Sequence, residues 1–242
     1  MIKSVQGFVV LSAVLVLIGP GSGFVSAGGL FAPVFDPVQF SNPLDINNMY
    51  WPLVPGTTFR YFAESEDDCE VAEVSVTNAM ESIAGVQSRV VVDEVWVDED
   101  CDGNGDFLSE YTLDWYAQDD DGNVWYMGEF TTSYPGGDHE GSWTAGEGGA
   151  EAGIIMPADP VPGLFYRQEY LEGQAEDMGK VLRVDASLDS CDDGLVTKEW
   201  TKLATGEIEH KYYCPGVGLV LVEELKGKTV MQWLVEVVAP AP

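Results

Sequence analysis

Apolar and polar residues alternate in short runs from residue 57 onward, and polar turns separate the runs. The runs are rich in valine, threonine and aromatic residues, which is typical of β-strands. They predict strands at 57–64, 71–78, 86–97, 108–117, 124–132, 164–171, 178–186, 195–201, 207–214, 218–225 and 230–238. A single open sheet of this size would expose long edges and one apolar face. The pattern therefore predicts an all-β fold of about ten strands, as an antiparallel β barrel, half-barrel or sandwich. It predicts no long helix, and residues 78–84 are interpreted as a connector.

Two segments depart from this alternation. Residues 28–56 contain five prolines and predict an extended arm laid against the domain. Residues 134–163 are dense in glycine and proline, but Trp143 and the apolar residues 154–156 favour an ordered lid or crossing segment over a simple linker. We therefore predict a single β domain at 57–242, with halves 57–133 and 164–238 joined by this segment.

The beginning of the chain has the pattern of a secretory signal peptide. Lys3 precedes an apolar run at residues 8–18, and V-S-A at 25–27 forms a small-residue cleavage site. The apolar run is much shorter than the about 20 residues that span a bilayer. We predict cleavage after Ala27, no transmembrane segment in the mature chain, and a secreted or periplasmic location.

The four cysteines contain no C-x-x-C pair, so in an exported chain they predict disulfides rather than a zinc site. Four cysteines allow three pairings. The predicted strand order favours Cys69 with Cys101 and Cys191 with Cys214, because each pair then lies at one end of neighbouring strands.

The chain is strongly acidic, with 11 basic and 41 acidic residues and a net charge of −30. Nucleic acids and anionic membrane surfaces are therefore poor partners, and divalent cations are favoured. Adaptation to a salty habitat is an alternative explanation of the same charge.

Residues 98–110 read D-E-D-C-D-G-N-G-D-F-L-S-E, which is the most specific chemical signal in the chain. Alternate acidic side chains around a turning glycine resemble a calcium loop and predict the oxygen ligands Asp100, Asp102, Asn104, Asp106 and Glu110. Position twelve is Tyr111 and the flanks are strands, so the loop is not an EF-hand. The alternative is a hairpin turn with solvated charges.

A second candidate site combines charged and aromatic residues of the later strands. Its predicted ligand-binding residues are Trp143, Glu169, Glu199, Trp200 and His210. Whether Glu199 and His210 share a face depends on strand register, which the sequence leaves open.

We found no nucleophile-elbow, phosphate-loop or zinc-protease motif. The sequence therefore favours a non-catalytic binding or structural protein over an enzyme. Two alternatives remain: a carrier of an apolar small molecule or lipid in a concave sheet, and an extracellular hydrolase that uses carboxylates such as Glu169, Glu199 or Glu209.

Three motifs resemble a group of secreted bacterial proteins without an assigned activity. They are Y-R-Q-E-Y-L-E-G-Q-A-E-D at 166–177, T-K-E-W at 197–200 and E-H-K-Y-Y-C-P-G-V-G-L-V at 209–220. The resemblance implies export and an all-β fold, and it implies no catalytic residues. The last motif is also loosely similar to curled-sheet envelope proteins of the lipoprotein-carrier type, which hold apolar ligands. Cys214 and the lack of a lipid-anchor cysteine depart from that pattern.

Overall fold

The computed structural model describes residues 30–65, 68–204, 206–225 and 230–240, so the predicted signal peptide at 1–27 lies outside the described residues. The described residues form one 3-10 turn, Pro37–Gln39, and seventeen strands. The strands are β1 (Leu30–Phe31), β2 (Asn47–Asn48), β3 (Trp51–Pro52), β4 (Thr58–Glu64), β5 (Cys69–Ile83), β6 (Val86–Asp98), β7 (Phe107–Gln118), β8 (Val124–Ser133), β9 (Trp143–Thr144), β10 (Glu151–Met156), β11 (Phe165–Arg167), β12 (Glu169–Tyr170), β13 (Asp177–Leu188), β14 (Cys191–Thr201), β15 (Glu209–Cys214), β16 (Gly218–Glu224) and β17 (Met231–Val238).

Fifteen of these strands form one large sheet, which confirms the all-β class. Two meanders, β4 to β8 and β13 to β17, join where β17 pairs antiparallel with β4. The predicted number of about ten strands agrees with the longer strands but omits the short strands of two or three residues.

The sheet curls until its two ends adjoin. Strand β11 pairs with β13 at one end and β12 pairs with β10 at the other, and Gln168 is the residue between β11 and β12. Gly153 allows this approach, because a Cβ on it would lie 2.4 Å from the Gln168 carbonyl carbon. Among the described strands no pairing joins β1 to β12, so the sheet is curled but is not a closed barrel.

The N-terminal arm covers one end of the curled sheet, which we call the floor. The Gln118 side chain accepts hydrogen bonds from the backbone N–H groups of Asn47 and Asn48, at 3.0 and 2.9 Å. The Trp51 ring enters the interior between Tyr116 and Tyr213, with centroid distances of 5.8 and 6.0 Å. We call the opposite end of the sheet, where β5, β13 and β15 begin, the mouth.

One predicted segment differs in the structure. Residues 78–84 are not a connector, because β5 continues to Ile83 and turns through Ala84 and Gly85, both with positive φ (49° and 87°). A two-residue turn of this kind matches the twist of paired strands. Segment 134–163 contains β9 and β10, which both pair with β8, so eight of its thirty residues belong to the sheet.

Both predicted disulfides are confirmed: Cys69–Cys101 lies at the mouth and Cys191–Cys214 at the floor. They fit an oxidising extracellular or envelope compartment. No helix among the described residues has the length and apolar character needed to cross a membrane.

Candidate functional site

Strand register places acidic side chains on the inner face near the mouth. In β7 the side chains of Glu110, Thr112, Asp114 and Tyr116 alternate onto one face. Asp114 stands opposite Glu129 of β8. The Tyr116 and Tyr126 rings stack on this face 5.0 Å apart, towards the floor. The inner face therefore changes from aromatic at the floor to acidic at the mouth.

Strands from the other half of the chain complete this surface. Glu199 of β14 pairs with Glu209 of β15, and Lys211 reaches the same face. We call this surface the acidic hollow, lined by Asp93, Glu110, Asp114, Glu129, Glu169, Asp177, Glu199, Glu209 and Lys211. Asp93, Glu129 and Asp177 are half-buried, so water reaches part of the hollow.

Enclosure of these acids raises their pKa values. Burial, with the charges of Asp114 and Glu110 next in importance, raises the pKa of Asp93 to about 8. Burial raises the pKa of Asp114 to about 7, although the Tyr126 hydroxyl donates a 2.6 Å hydrogen bond to it. Burial and the neighbouring Asp114 raise the pKa of Glu129 to about 8. Near neutral pH, Asp93 and Glu129 are therefore largely protonated and Asp114 is about half protonated.

Glu169 and Glu199 line the hollow, and their pKa values are shifted in opposite directions. Burial, followed by the charges of Asp177 and Glu129, raises the pKa of Glu169 well above its ordinary value. The Trp143 indole N–H donates to Glu169 at 2.9 Å. Burial also acts to raise the pKa of Glu199, but Lys211, whose ammonium lies 2.8 Å away, lowers it below the ordinary value.

Polar atoms of the hollow remain without a hydrogen-bond partner. Asp93 Oδ1 is a buried acceptor that no described donor reaches. The Tyr166 hydroxyl is also unpartnered, in a side chain that is 0% exposed. The Tyr166 ring lies over Gly179, whose backbone pairs with Glu199, and the Glu199 charge contributes to raising the pKa of the Tyr166 hydroxyl. Both unpartnered atoms therefore adjoin the carboxylates of the hollow.

The predicted calcium loop forms the tip of the β6–β7 hairpin at the mouth. Carboxylate oxygens of Asp98, Asp100 and Asp106 lie within 4.8 Å of one another. Asp98 is buried and accepts from the backbone N–H groups of Asp102 and Gly103, at 3.2 and 2.6 Å. The charge of Asp102 is the main cause of a raised Asp100 pKa.

The remaining predicted calcium ligands, Asp102, Asn104 and Glu110, lie outside this triad. Asp102 accepts from the Asn104 backbone N–H at 2.9 Å, as a turn residue does. Asn104 is exposed. Glu110 lies in β7, where Thr112 donates to it at 3.4 Å, so it belongs to the hollow. Asp98 was predicted as the first residue of the loop, but sequence reasoning did not include it among the ligands.

The predicted ligand-binding residues separate into two faces. Trp143, Glu169 and Glu199 lie on the inner face. Trp143 is a buried core residue whose ring packs edge-on against Tyr126 at 5.3 Å.

Trp200 and His210 occupy the outer face of the sheet. His210 pairs with Lys198, and the Lys198 ammonium lies 5.4 Å from the Trp200 ring centroid. This register resolves the open question about β14 and β15. Glu199 shares a face with Lys211 and not with His210.

Sequence reasoning missed Asp93, Asp114 and Glu129 as site residues. The available signal was weak: each is an acid at a position where alternation predicts an inward side chain. An inward acid in one strand is uninformative until the neighbouring strands are placed beside it.

Comparisons with known proteins add no functional assignment. No family model matches the chain, and no curated protein matches it. A solved structure described as "a putative lipoprotein from Parabacteroides distasonis ATCC 8503" is similar to 79% of this chain and 99% of its own, with 10% sequence identity and a TM-score of 0.33. A likeness at this level carries no argument about function.

Proposed function

We propose that this protein is an exported, non-catalytic binding or structural β-protein that holds a calcium ion in the hairpin-tip loop. The observation that carries this proposal is the convergence of the Asp98, Asp100 and Asp106 carboxylates within 4.8 Å. Hard cations such as calcium prefer several oxygen ligands, and backbone carbonyls and water can complete the set.

The surroundings of the loop support a structural role for the ion. The Cys69–Cys101 disulfide ties the loop to β5, and Arg60 Nη2 donates to the Gly103 carbonyl at 2.7 Å. A bound cation would reduce repulsion among the three carboxylates and stabilise the mouth of the curled sheet.

An apolar carrier function has less support. Large apolar side chains that are almost fully buried, including Met127, Ile154 and Met156, fill the apolar interior. The mouth is lined by carboxyl groups, which an apolar ligand would have to desolvate.

Calcium titration by isothermal calorimetry, combined with thermal unfolding, tests the proposal. We expect one-site binding and a melting temperature that rises with calcium, since a ligand at about 100 times its Kd stabilises by about 2.7 kcal/mol. Asp100→Asn should abolish both effects. Asp121→Asn removes the same charge from the β7–β8 turn and should retain both. Absence of saturable binding to the wild type, or equal binding by Asp100→Asn, would refute the calcium site.

A further inference from the structure

The acids of the hollow do not converge on one point. Among the described residues, the group of three acids whose oxygens lie within 4.8 Å is the hairpin-tip triad, and no three acids of the hollow meet this limit. A single metal ion needs several oxygens at about 2.3–2.6 Å, so the hollow is a poor metal site. A cation whose charges are spread along a chain could instead contact acids on several strands.

Positive charge in the hollow is scarce. The Lys211 ammonium already forms ion pairs with the Glu199 and Glu209 carboxylates, at 2.8 and 3.5 Å. The ion pairs found among the described residues give Asp93, Asp114 and Glu129 no basic partner. Asp114 and Glu129 accept hydrogen bonds from the Tyr126 and Thr131 hydroxyls, at 2.6 and 3.5 Å. Buried charged groups are normally paired, so what these acids lack is a cation.

Two unpartnered atoms independently indicate a missing ligand. Asp93 Oδ1 is an acceptor without a donor, and the fully buried Tyr166 hydroxyl beside Glu199 has no partner. An ammonium group can donate to both kinds of oxygen.

The rings beside the acids favour an organic cation over a bare ion. The stacked Tyr116 and Tyr126 rings and the edge-on Trp143 lie next to Asp114 and Glu169. Aromatic rings accommodate alkyl segments and attract ammonium groups through cation–π interactions.

We propose that the acidic hollow binds a linear polyamine, with ammonium groups contacting Asp93, Asp114 and Glu129 on one wall and the Glu199 region on the other. This site is separate from the hairpin-tip loop, so the polyamine proposal does not depend on calcium binding by the loop.

The probe is spermidine, titrated by calorimetry into the mature protein (residues 28–242) with both disulfides formed. We expect saturable binding of one equivalent. The double variant Asp93→Asn/Asp114→Asn should bind about tenfold more weakly or worse, because losing hydrogen bonds to a charged group costs at least about 1.5 kcal/mol. These amides have nearly the shape of the protonated acids, so the variant is expected to fold.

Two controls separate a built site from general attraction to an acidic surface. Asp185→Asn removes a charge from a side chain that is 82% exposed and should leave spermidine affinity unchanged. The uncharged chain 1,8-octanediol should not bind. Calcium affinity of the double variant should equal that of the wild type.

The inference is overturned if spermidine binds weakly with many equivalents, or if Asp185→Asn and the double variant bind it equally. Binding of octanediol in place of spermidine would also overturn it and would indicate an apolar ligand. Thermal unfolding of each variant shows whether an affinity loss reflects unfolding. If the double variant unfolds, Tyr166→Phe becomes the deciding variant, and unchanged spermidine affinity there would refute the site.

Discussion

Asp114 and Glu129 stand directly opposite each other on the inner face of β7 and β8, and the Tyr126 hydroxyl donates to Asp114 at 2.6 Å. Like charges at directly opposed positions destabilise a sheet. Burial raises the pKa of Asp114 to about 7 and that of Glu129 to about 8, so near neutral pH Asp114 is about half protonated and Glu129 is largely protonated. The pair is therefore tolerated through protonation and not through a basic partner.

Stability is expected to fall as the pH rises from about 5 to about 8.5. Burial raises the folded pKa values of Asp93 and Glu129 to about 8 and that of Asp177 to about 6, above the unfolded values near 4. A raised carboxyl pKa stabilises the fold at low pH, and this contribution is lost as the pH rises through the folded pKa. Glu199, whose pKa is lowered, acts in the opposite sense and mainly below this window. We expect a loss of at least about 2 kcal/mol, or roughly 4–8 °C in Tm.

The control for this pH dependence is the double variant Asp114→Asn/Glu129→Gln, in which two of the titrating groups are removed. Its melting temperature should vary less over the same window, measured by calorimetric scans in buffers of equal ionic strength. A wild-type Tm that is constant between these pH values would contradict the proposed protonation of the hollow.

Lys211→Met should strongly destabilise the protein. It leaves the Glu199 carboxylate, 7% exposed, without the ammonium that lies 2.8 Å away. Removing one partner of a buried ion pair costs about 3–5 kcal/mol, whereas replacing both partners is often nearly neutral. Urea unfolding should show this loss in Lys211→Met and recovery in Lys211→Met/Glu199→Gln. Lys198→Met on the outer face is the matched control, and a similar loss there would contradict the argument.

The two disulfides should differ in their effect on calcium binding. Replacing Cys69 and Cys101 by serine removes the covalent tie to the hairpin-tip loop and should weaken calcium affinity as well as stability. Replacing Cys191 and Cys214 should cost about 2–4 kcal/mol of stability but leave calcium affinity unchanged, because that disulfide lies at the floor. Calcium titration by calorimetry compares the two double variants. If they bind calcium with equal affinity, the Cys69–Cys101 disulfide does not preorganise the loop.

Gly153→Ala should separate the adjoining ends of the sheet. The new Cβ would lie 2.4 Å from the carbonyl carbon and oxygen of Gln168, so the backbone of one strand must move. Overpacking of this kind costs about 1–3 kcal/mol. Gly137→Ala is the control, because no atom lies within 4 Å of its added Cβ, although its φ of 73° adds a smaller strain. Thermal unfolding should rank Gly153→Ala as the less stable variant.

The sequence by itself determined the class of fold, most strand positions and both disulfides. Strand alternation is a local property, so runs such as 86–97 and 218–225 predicted β6 and β16 closely. Two cysteine pairs on adjoining strands followed from the same local order. The acidic loop was also visible, because Asp100 and Asp106 are six residues apart around a glycine turn.

Tertiary structure decided which distant side chains meet. Glu129, Glu169 and Asp177 come together through the curl of the sheet, and Gln168 marks where the two ends adjoin. The separation of Glu199 from His210 depends on register, and one residue of slip would reverse it. A local pattern can place a side chain on one face of its own strand, but curvature, closure and register depend on contacts between residues far apart in sequence. For that reason the strands and the acidic loop can be predicted from the sequence, whereas the hollow can be recognised only once the strands are assembled into the sheet.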